Sequence, residues 1–253
     1  MTPLPLFYSG IAVLDRNVNN DLRIESRQAP YAFAARSHIL PALAQEFFAG
    51  CRDMPIVFLE EGGTWSPLFL VGMRSNENVF VDREGRWLGQ YVPAYLRRYP
   101  FISGETPEQQ VICFDPGYAG LGVEAGDRLF GHDGEPTATL NTAIAMVAEY
   151  SQAATITAAF STQLKELDLL RTINIEMRAA DGSTATFYGF AAVDEQKLAS
   201  LADDALLDLQ RKGYLAFIYA HLISMGNLQA LSARAPTPAA GAETRERGAR
   251  LNS

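Results

Sequence analysis

Three histidines, two cysteines and one aromatic and basic run are the residues of this chain whose types could support chemistry. His38, His132 and His221 stand alone in sequence, whereas an iron or zinc site calls for two or three histidines and a carboxylate at spacings such as His-x-Asp or His-x-x-x-His. His132 falls in Gly131-His-Asp-Gly134, a turn sequence, and is expected to be a solvated loop residue. His221 lies in a mostly apolar stretch with helical character, where a hydrogen-bonded interior histidine is expected. Cys51 is followed by Arg52, which would favour a thiolate, but no histidine is near in sequence to act as its base, and no Gly-x-Ser-x-Gly elbow occurs. Gly117-Tyr-Ala-Gly120-Leu-Gly122 has the glycine density of a phosphate loop without the following helix whose N-terminus would hold the phosphate, so a flexible loop is expected. These patterns supply no catalytic residue, metal site or cofactor.

What remains is Trp87, Tyr91, Tyr95, Arg97, Arg98 and Tyr99, concentrated within residues 78–101. Tyr, Trp and Arg anchor peptide and protein interfaces because they join large contact area to directed hydrogen bonds. If the segment is helical, the three tyrosines at intervals of four share one face and the arginines point elsewhere. The competing expectation is that the rings pack into the core and the arginines pair with local acids.

Composition narrows the partners. Hydrophobic residues make up 48% of the 253 positions and charged residues 20%, as in an ordinary globular protein. The net charge of −8 argues against a nucleic-acid partner, since phosphate binding needs a basic surface. Cys51 and Cys113 have no CxxC or CxxH context and are expected to be buried free thiols. The start of the chain lacks a basic region and its apolar stretch is broken by Pro3 and Pro5, which makes a poor signal peptide. No stretch reaches the roughly 18 to 20 apolar residues of a membrane span. A cytosolic protein is expected, unless an export machine reads something other than an N-terminal signal.

The elements that must position these residues read as α+β, with a mixed or antiparallel sheet in the N-terminal half and helices plus a hairpin in the C-terminal half. Residues 10–27 give two short strands or a loop. Apolar residues at helical spacing, with Pro41 near the first turn and Gly50 at the end, predict a helix over 39–49. Strands are expected at 55–59, 68–73 and 111–114. Asp82-Arg83-Glu84-Gly85 is turn chemistry, Pro93 suits a helix start and Pro100 a stop. Residues 115–135 read as loop, 139–150 and 152–170 as two helices capped by Thr142 or Ser151, and 173–178 with 184–190 as a hairpin about Asp181-Gly182-Ser183. Asp194 and Asp203 or its neighbour open two helices, Gly213 closes the second, and 214–233 forms one long apolar helix. One domain over 1–233 is expected, with the option of two subdomains meeting near 115–140, followed by a disordered tail over 234–253.

With these pieces in order, the chain resembles the SapC family of bacterial proteins, named from surface-array (S-layer) gene clusters. The likeness rests on Phe33-Ala34-Ala35 with Pro41 and Glu46-Phe47, on Pro55 to Phe58, on Gly72-Met73-Arg74 with Asn78, and on Gly85-Arg-Trp87 leading into Tyr91-Val-Pro-Ala-Tyr-Leu-Arg-Arg-Tyr-Pro-Phe101. It continues through Gly126-Asp-Arg-Leu-Phe130, Asp133-Gly-Glu135 and Val193-Asp-Glu-Gln-Lys-Leu198 to Leu201, Gly213 and His221-Leu222. A multi-span permease of the same name and the disulfide-rich saposin C are unrelated, since this chain has neither the spans nor the cysteines. The resemblance implies surface-layer or outer-membrane-receptor systems, with halogenase-like, cupin-like or receptor-linked proteins as neighbours, and it brings no catalytic residue set. Two functions are therefore expected as alternatives. One is a non-catalytic peptide- or protein-binding accessory protein. The other is an accessory or cofactor-dependent enzyme acting on peptide side chains beside a flavin-dependent halogenase or oxygenase.

Overall fold

The computed structural model describes residues 4–25, 29–106, 109–178, 184–234 and 244–247. Its elements are α+β, as the sequence predicts. The Asp181-Gly182-Ser183 turn, and the tail apart from 244–247, lie outside the described residues.

The main core is organised by an antiparallel sheet. Strands β3 (Ile39–Pro41), β4 (Ile56–Glu61), β5 (Thr64–Leu70), β10 (Leu170–Arg178) and β11 (Thr184–Val193) lie in the order β10-β11-β4-β5-β3. Ile56, Val57 and Phe58 of β4 are completely buried, which is why this strand is a continuous apolar run rather than an alternating one. The C-terminal hairpin joins the N-terminal strands through Phe190 opposite Leu59 and Ala191 opposite Phe58. The backbone of β12 (Thr244–Arg247) runs parallel to the first half of β11.

Two smaller sheets stand apart. One combines β1 (Ala12–Val13), β7 (Gln110–Phe114) and β6 (Phe101–Glu105); the other combines β8 (Leu121–Gly122), β2 (Arg23–Ile24) and β9 (Asp127–Arg128). They bury a second cluster around Phe101, Phe114, Leu129 and Phe130. The Leu121–Gly122 strand is part of this arrangement, so the last two residues of the expected glycine loop are instead paired with Arg23 and Ile24.

Both cores share α3 (Ala138–Glu166), a single helix of 29 residues and about 44 Å. Leu140 and Val147 pack in the smaller cluster, Phe160 and Leu164 in the larger. Two helices were expected here, and the difference has a local cause. The Ser151 hydroxyl donates to the Val147 carbonyl and that of Thr142 to the Ala138 carbonyl, so both side chains lie along the helix instead of capping it. The N-cap is Thr137, whose Oγ1 accepts from the Leu140 N–H.

The expected helix over 39–49 is also corrected. Ile39 to Pro41 form the edge strand of the main sheet, where a missing N–H is tolerated, and helical turns begin only at Ala44, with α1 (Phe47–Gly50) closing the segment. Among the described residues the remaining α-helices are α2 (Ala94–Arg98), α4 (Glu195–Ala199), α5 (Asp203–Arg211), α6 (Tyr214–Ser224) and α7 (Leu228–Arg234). Asp194 caps α4 through the Gln196 and Lys197 N–H groups, and Gly213 leaves α5 at φ +76°, both as predicted. The long C-terminal helix is interrupted by a tight turn at Met225–Asn227, where Asn227 donates to the Cys51 carbonyl.

Candidate functional site

Asp82-Arg83-Glu84-Gly85 forms the expected turn, bridged by Val81 and Trp87. Gly85 has φ +73°, and a Cβ there would stand 2.8 Å from the Ala29 Cβ and 2.9 Å from the Ala32 Cβ, so both backbone angle and space demand glycine. Trp87 stacks on buried Phe80 at 5.3 Å and its indole N–H donates to the Tyr91 carbonyl at 2.8 Å. This contact turns the chain into Pro93, which precedes α2.

Because α2 covers only Ala94 to Arg98, Tyr91 lies before it and Tyr99 after it, and the tyrosines do not share one helical face. They diverge. The Tyr91 hydroxyl donates to Glu46 Oε1 at 2.8 Å, that of Tyr95 to the Leu6 carbonyl at 3.0 Å, and that of Tyr99 to Asp115 Oδ2 at 2.9 Å. The arginines part company too: Arg97 is exposed, whereas Arg98 is only 7% exposed.

A groove of about 390 Å³ runs between α2 and the middle of α3, floored by Leu43, Gln45 and Glu46. Tyr91, Arg97 and Arg98 line it from one side, and Met146, Glu149 and Tyr150 from the other. Trp87, Tyr95 and Tyr99 do not line it. Trp87 braces the entry to α2, Tyr95 backs Arg98, and Tyr99 donates to Asp115 while its ring packs against Phe7, Tyr8 and Phe33.

Glu46 organises the floor. It is 5% exposed and accepts from the Leu43 N–H at 3.0 Å, the Ala94 N–H at 2.6 Å and the Tyr91 hydroxyl. Burial raises its carboxyl above the usual range, opposed by these donors and by the Arg97 charge. Burial, reinforced by the Glu46 charge and hydrogen bond, pushes the Tyr91 phenol up to about 12. Arg97 donates back to the Tyr91 hydroxyl at 3.1 Å, completing a chain from Glu46 through Tyr91 to Arg97.

Arg98 is held differently. Its guanidinium carbon lies 4.1 Å from the Tyr150 ring centroid, 4.7 Å from Tyr95 and 6.0 Å from Tyr8. Aromatic faces stabilise a cation through their quadrupole but offer no lone pair in the plane of its N–H groups. The Arg98 Nε–H is buried with no hydrogen-bond partner, and no ion pair to Arg98 forms among the described residues. Burial raises the Tyr150 and Tyr8 phenols and takes Tyr95 up to about 12, with the Arg98 charge opposing in each case and, at Tyr95, hydrogen bonds with the Arg98 side chain and the Leu6 carbonyl opposing as well.

The other candidates resolve into structural groups. His221 is fully buried, with Nδ1 donating to the Ile56 carbonyl at 2.9 Å and Nε2 accepting from the Val193 N–H at 3.0 Å. Burial lowers its pKa to about 4 and the bond to Ile56 opposes this. His38 is buried and stacks on Phe187, while His132 is exposed. The Cys51 thiol is raised, not lowered: burial outweighs the Arg52 charge. Cys113 is buried and likewise raised. Among the described residues no three His, Cys, Asp or Glu side chains converge as metal ligands, and no helix is long and apolar enough to cross a membrane.

Sequence reasoning missed Tyr8, Tyr150 and the role of Glu46. Glu46 was visible three residues after Leu43, the spacing at which a carboxylate reaches back to an N-terminal N–H. Tyr8 and Tyr150 carried no local signal, since each reaches Arg98 across a long stretch of chain.

The chain is thus an α+β protein built on an antiparallel sheet, with an arginine-lined groove beside its longest helix. The SapC family model matches residues 14–231, and the chain belongs to that family. No curated protein and no solved structure matches it.

Proposed function

We propose that the protein is a non-catalytic accessory protein that binds a peptide or partner protein at the groove between α2 and α3, within surface-layer or outer-membrane-receptor systems. The supporting observation is Arg98, a cation buried by tyrosine rings and without a carboxylate partner among the described residues, at the wall of an open groove. Tyrosine and arginine at a partly enclosed surface are the residue types that dominate binding energy at interfaces. Arg97 and Tyr91 extend the same wall outward, and Glu46 fixes the Tyr91 ring. Trp87, Tyr95 and Tyr99 serve as its supports, the first through Tyr91 and the others through the packing around Arg98 and Asp115. Halogenase-like and receptor-linked proteins are the partners to examine first, in keeping with a cytosolic location.

Tagged protein recovered from its own host, with co-purifying proteins identified by mass spectrometry, tests this directly. Replacing Arg97 and Arg98 by Ala is expected to abolish recovery of a specific partner while the circular dichroism spectrum is retained. Undiminished recovery by the folded double variant would count against the groove.

A further inference from the structure

The groove's charges point to the chemical group it takes, an inference that rests on the binding function proposed above. Its two cations differ in kind: Arg97 is solvated and already engaged with Tyr91 and the Val92 carbonyl, whereas Arg98 is desolvated and has no acid partner among the described residues. Removing a guanidinium from water is costly, and ring faces recover only part of that cost. An anion that met the guanidinium from the groove, which Arg98 lines, would recover more.

Two anion classes fit a guanidinium, carboxylates and phosphates. The surroundings favour the single charge. Glu46 and Glu149 line the same groove and the whole chain carries −8, so a dianionic phosphate would face like charge from the floor and from the α3 wall. A carboxylate matches the guanidinium fork with half that repulsion. Met146, Ala94 and Leu43 supply apolar lining beside Arg98 for whatever carries the acid.

We propose that the α2–α3 groove is a carboxylate-binding site, with Arg98 as the primary anchor and Arg97 at its rim, and that it receives a peptide through a C-terminal or side-chain carboxylate. Glu46 acts as a positioning residue, holding Leu43, Tyr91 and Ala94 so that the floor keeps its shape.

The test uses the full chain and three pools of fluorescently labelled hexapeptides, read by polarisation. The first pool lacks Asp and Glu and has a free C-terminal carboxylate. The second is the same pool amidated, and the third is amidated with one internal Glu. At least tenfold tighter binding of the first or third pool than of the second is expected, and whichever of the two binds tells the C-terminal source from the side-chain source. Arg98→Met should remove that tenfold preference, and exposed Arg97→Ala should reduce it about threefold, which keeps the test decisive if Arg98→Met fails to fold. Competition by acetate but not by an equal concentration of inorganic phosphate is expected. Equal binding of all three pools, or stronger competition by phosphate, would overturn the carboxylate assignment and leave the groove as a binding surface. Absence of binding by every pool would also overturn it, while the partner-recovery experiment judges the broader function separately.

Discussion

Arg98 and Asp115 are both buried charges attached to the same aromatic run, and they are treated in opposite ways. Asp115 is 1% exposed and accepts four hydrogen bonds: from the Ser9 N–H at 3.0 Å, the Ser9 hydroxyl at 2.7 Å, the Tyr99 hydroxyl at 2.9 Å and the Gly117 N–H at 3.0 Å. Burial alone would raise its carboxyl, but these donors outweigh that and hold it below the usual range. Arg98 has rings on its faces and, among the described residues, no acid at its edge. A buried charge that serves only the fold is expected to have its hydrogen bonds met within the fold. Arg98 lines a groove and keeps an unmet donor, and the proposed carboxylate site rests on that contrast.

The largest effect should come from the saturated side of this comparison. Asp115→Ala leaves the Ser9 hydroxyl and two N–H groups without their acceptor and the Tyr99 hydroxyl with only the Phe7 carbonyl at 3.5 Å, and should cost about 3 kcal/mol in urea unfolding. Since the folded carboxyl titrates below its unfolded value, its contribution is present above roughly pH 4 and lost as pH falls through the folded value. Asp115→Asn should therefore flatten the acid limb of the stability curve. A loss under about 1 kcal/mol for Asp115→Ala would break the contrast.

His221 extends the comparison to a neutral group with both ring nitrogens satisfied. With a folded pKa of about 4 against 6.5 unfolded, the unfolded chain binds more protons between those values. Stability should then be fully present above about pH 6.5 and fall by roughly 3 kcal/mol as pH drops to 4. His221→Leu should erase that slope in stability measured against pH; a slope that survived would place the titration elsewhere.

The smallest effect belongs to Arg98. Exchanging it for Met gives up the ring contacts but relieves a desolvated charge, so stability should change by less than about 1.5 kcal/mol by thermal or urea unfolding. A loss as large as that of Asp115→Ala would make the tyrosine cage a structural device and weaken the case for a ligand.

Much of this was legible in the residues. The Asp82 to Gly85 turn, β4, the β10–β11 hairpin, the Asp194 cap, the Gly213 exit and the interior place of His221 each follow from signals within a few positions. The Trp87 to Tyr99 segment stood out for the same reason, because residue type and density can be read without knowing the fold. Errors arose where a local signal had two readings. Pro41 suits an edge strand as well as a first helical turn, and Ser151 suits a helix interior when its hydroxyl bonds back to Val147.

The sequence by itself determined the α+β class, the family and the identity of the aromatic and basic run, since composition, periodicity and turn chemistry are properties of neighbouring residues. Tertiary structure alone decided that Tyr91, Tyr95 and Tyr99 part in three directions, that Glu46 seats Tyr91, and that Tyr8 and Tyr150 close on Arg98. Those pairings join positions 16 to 90 residues apart in the chain, and no backbone preference encodes contacts that exist only after distant elements, such as α3 and α2, have packed together.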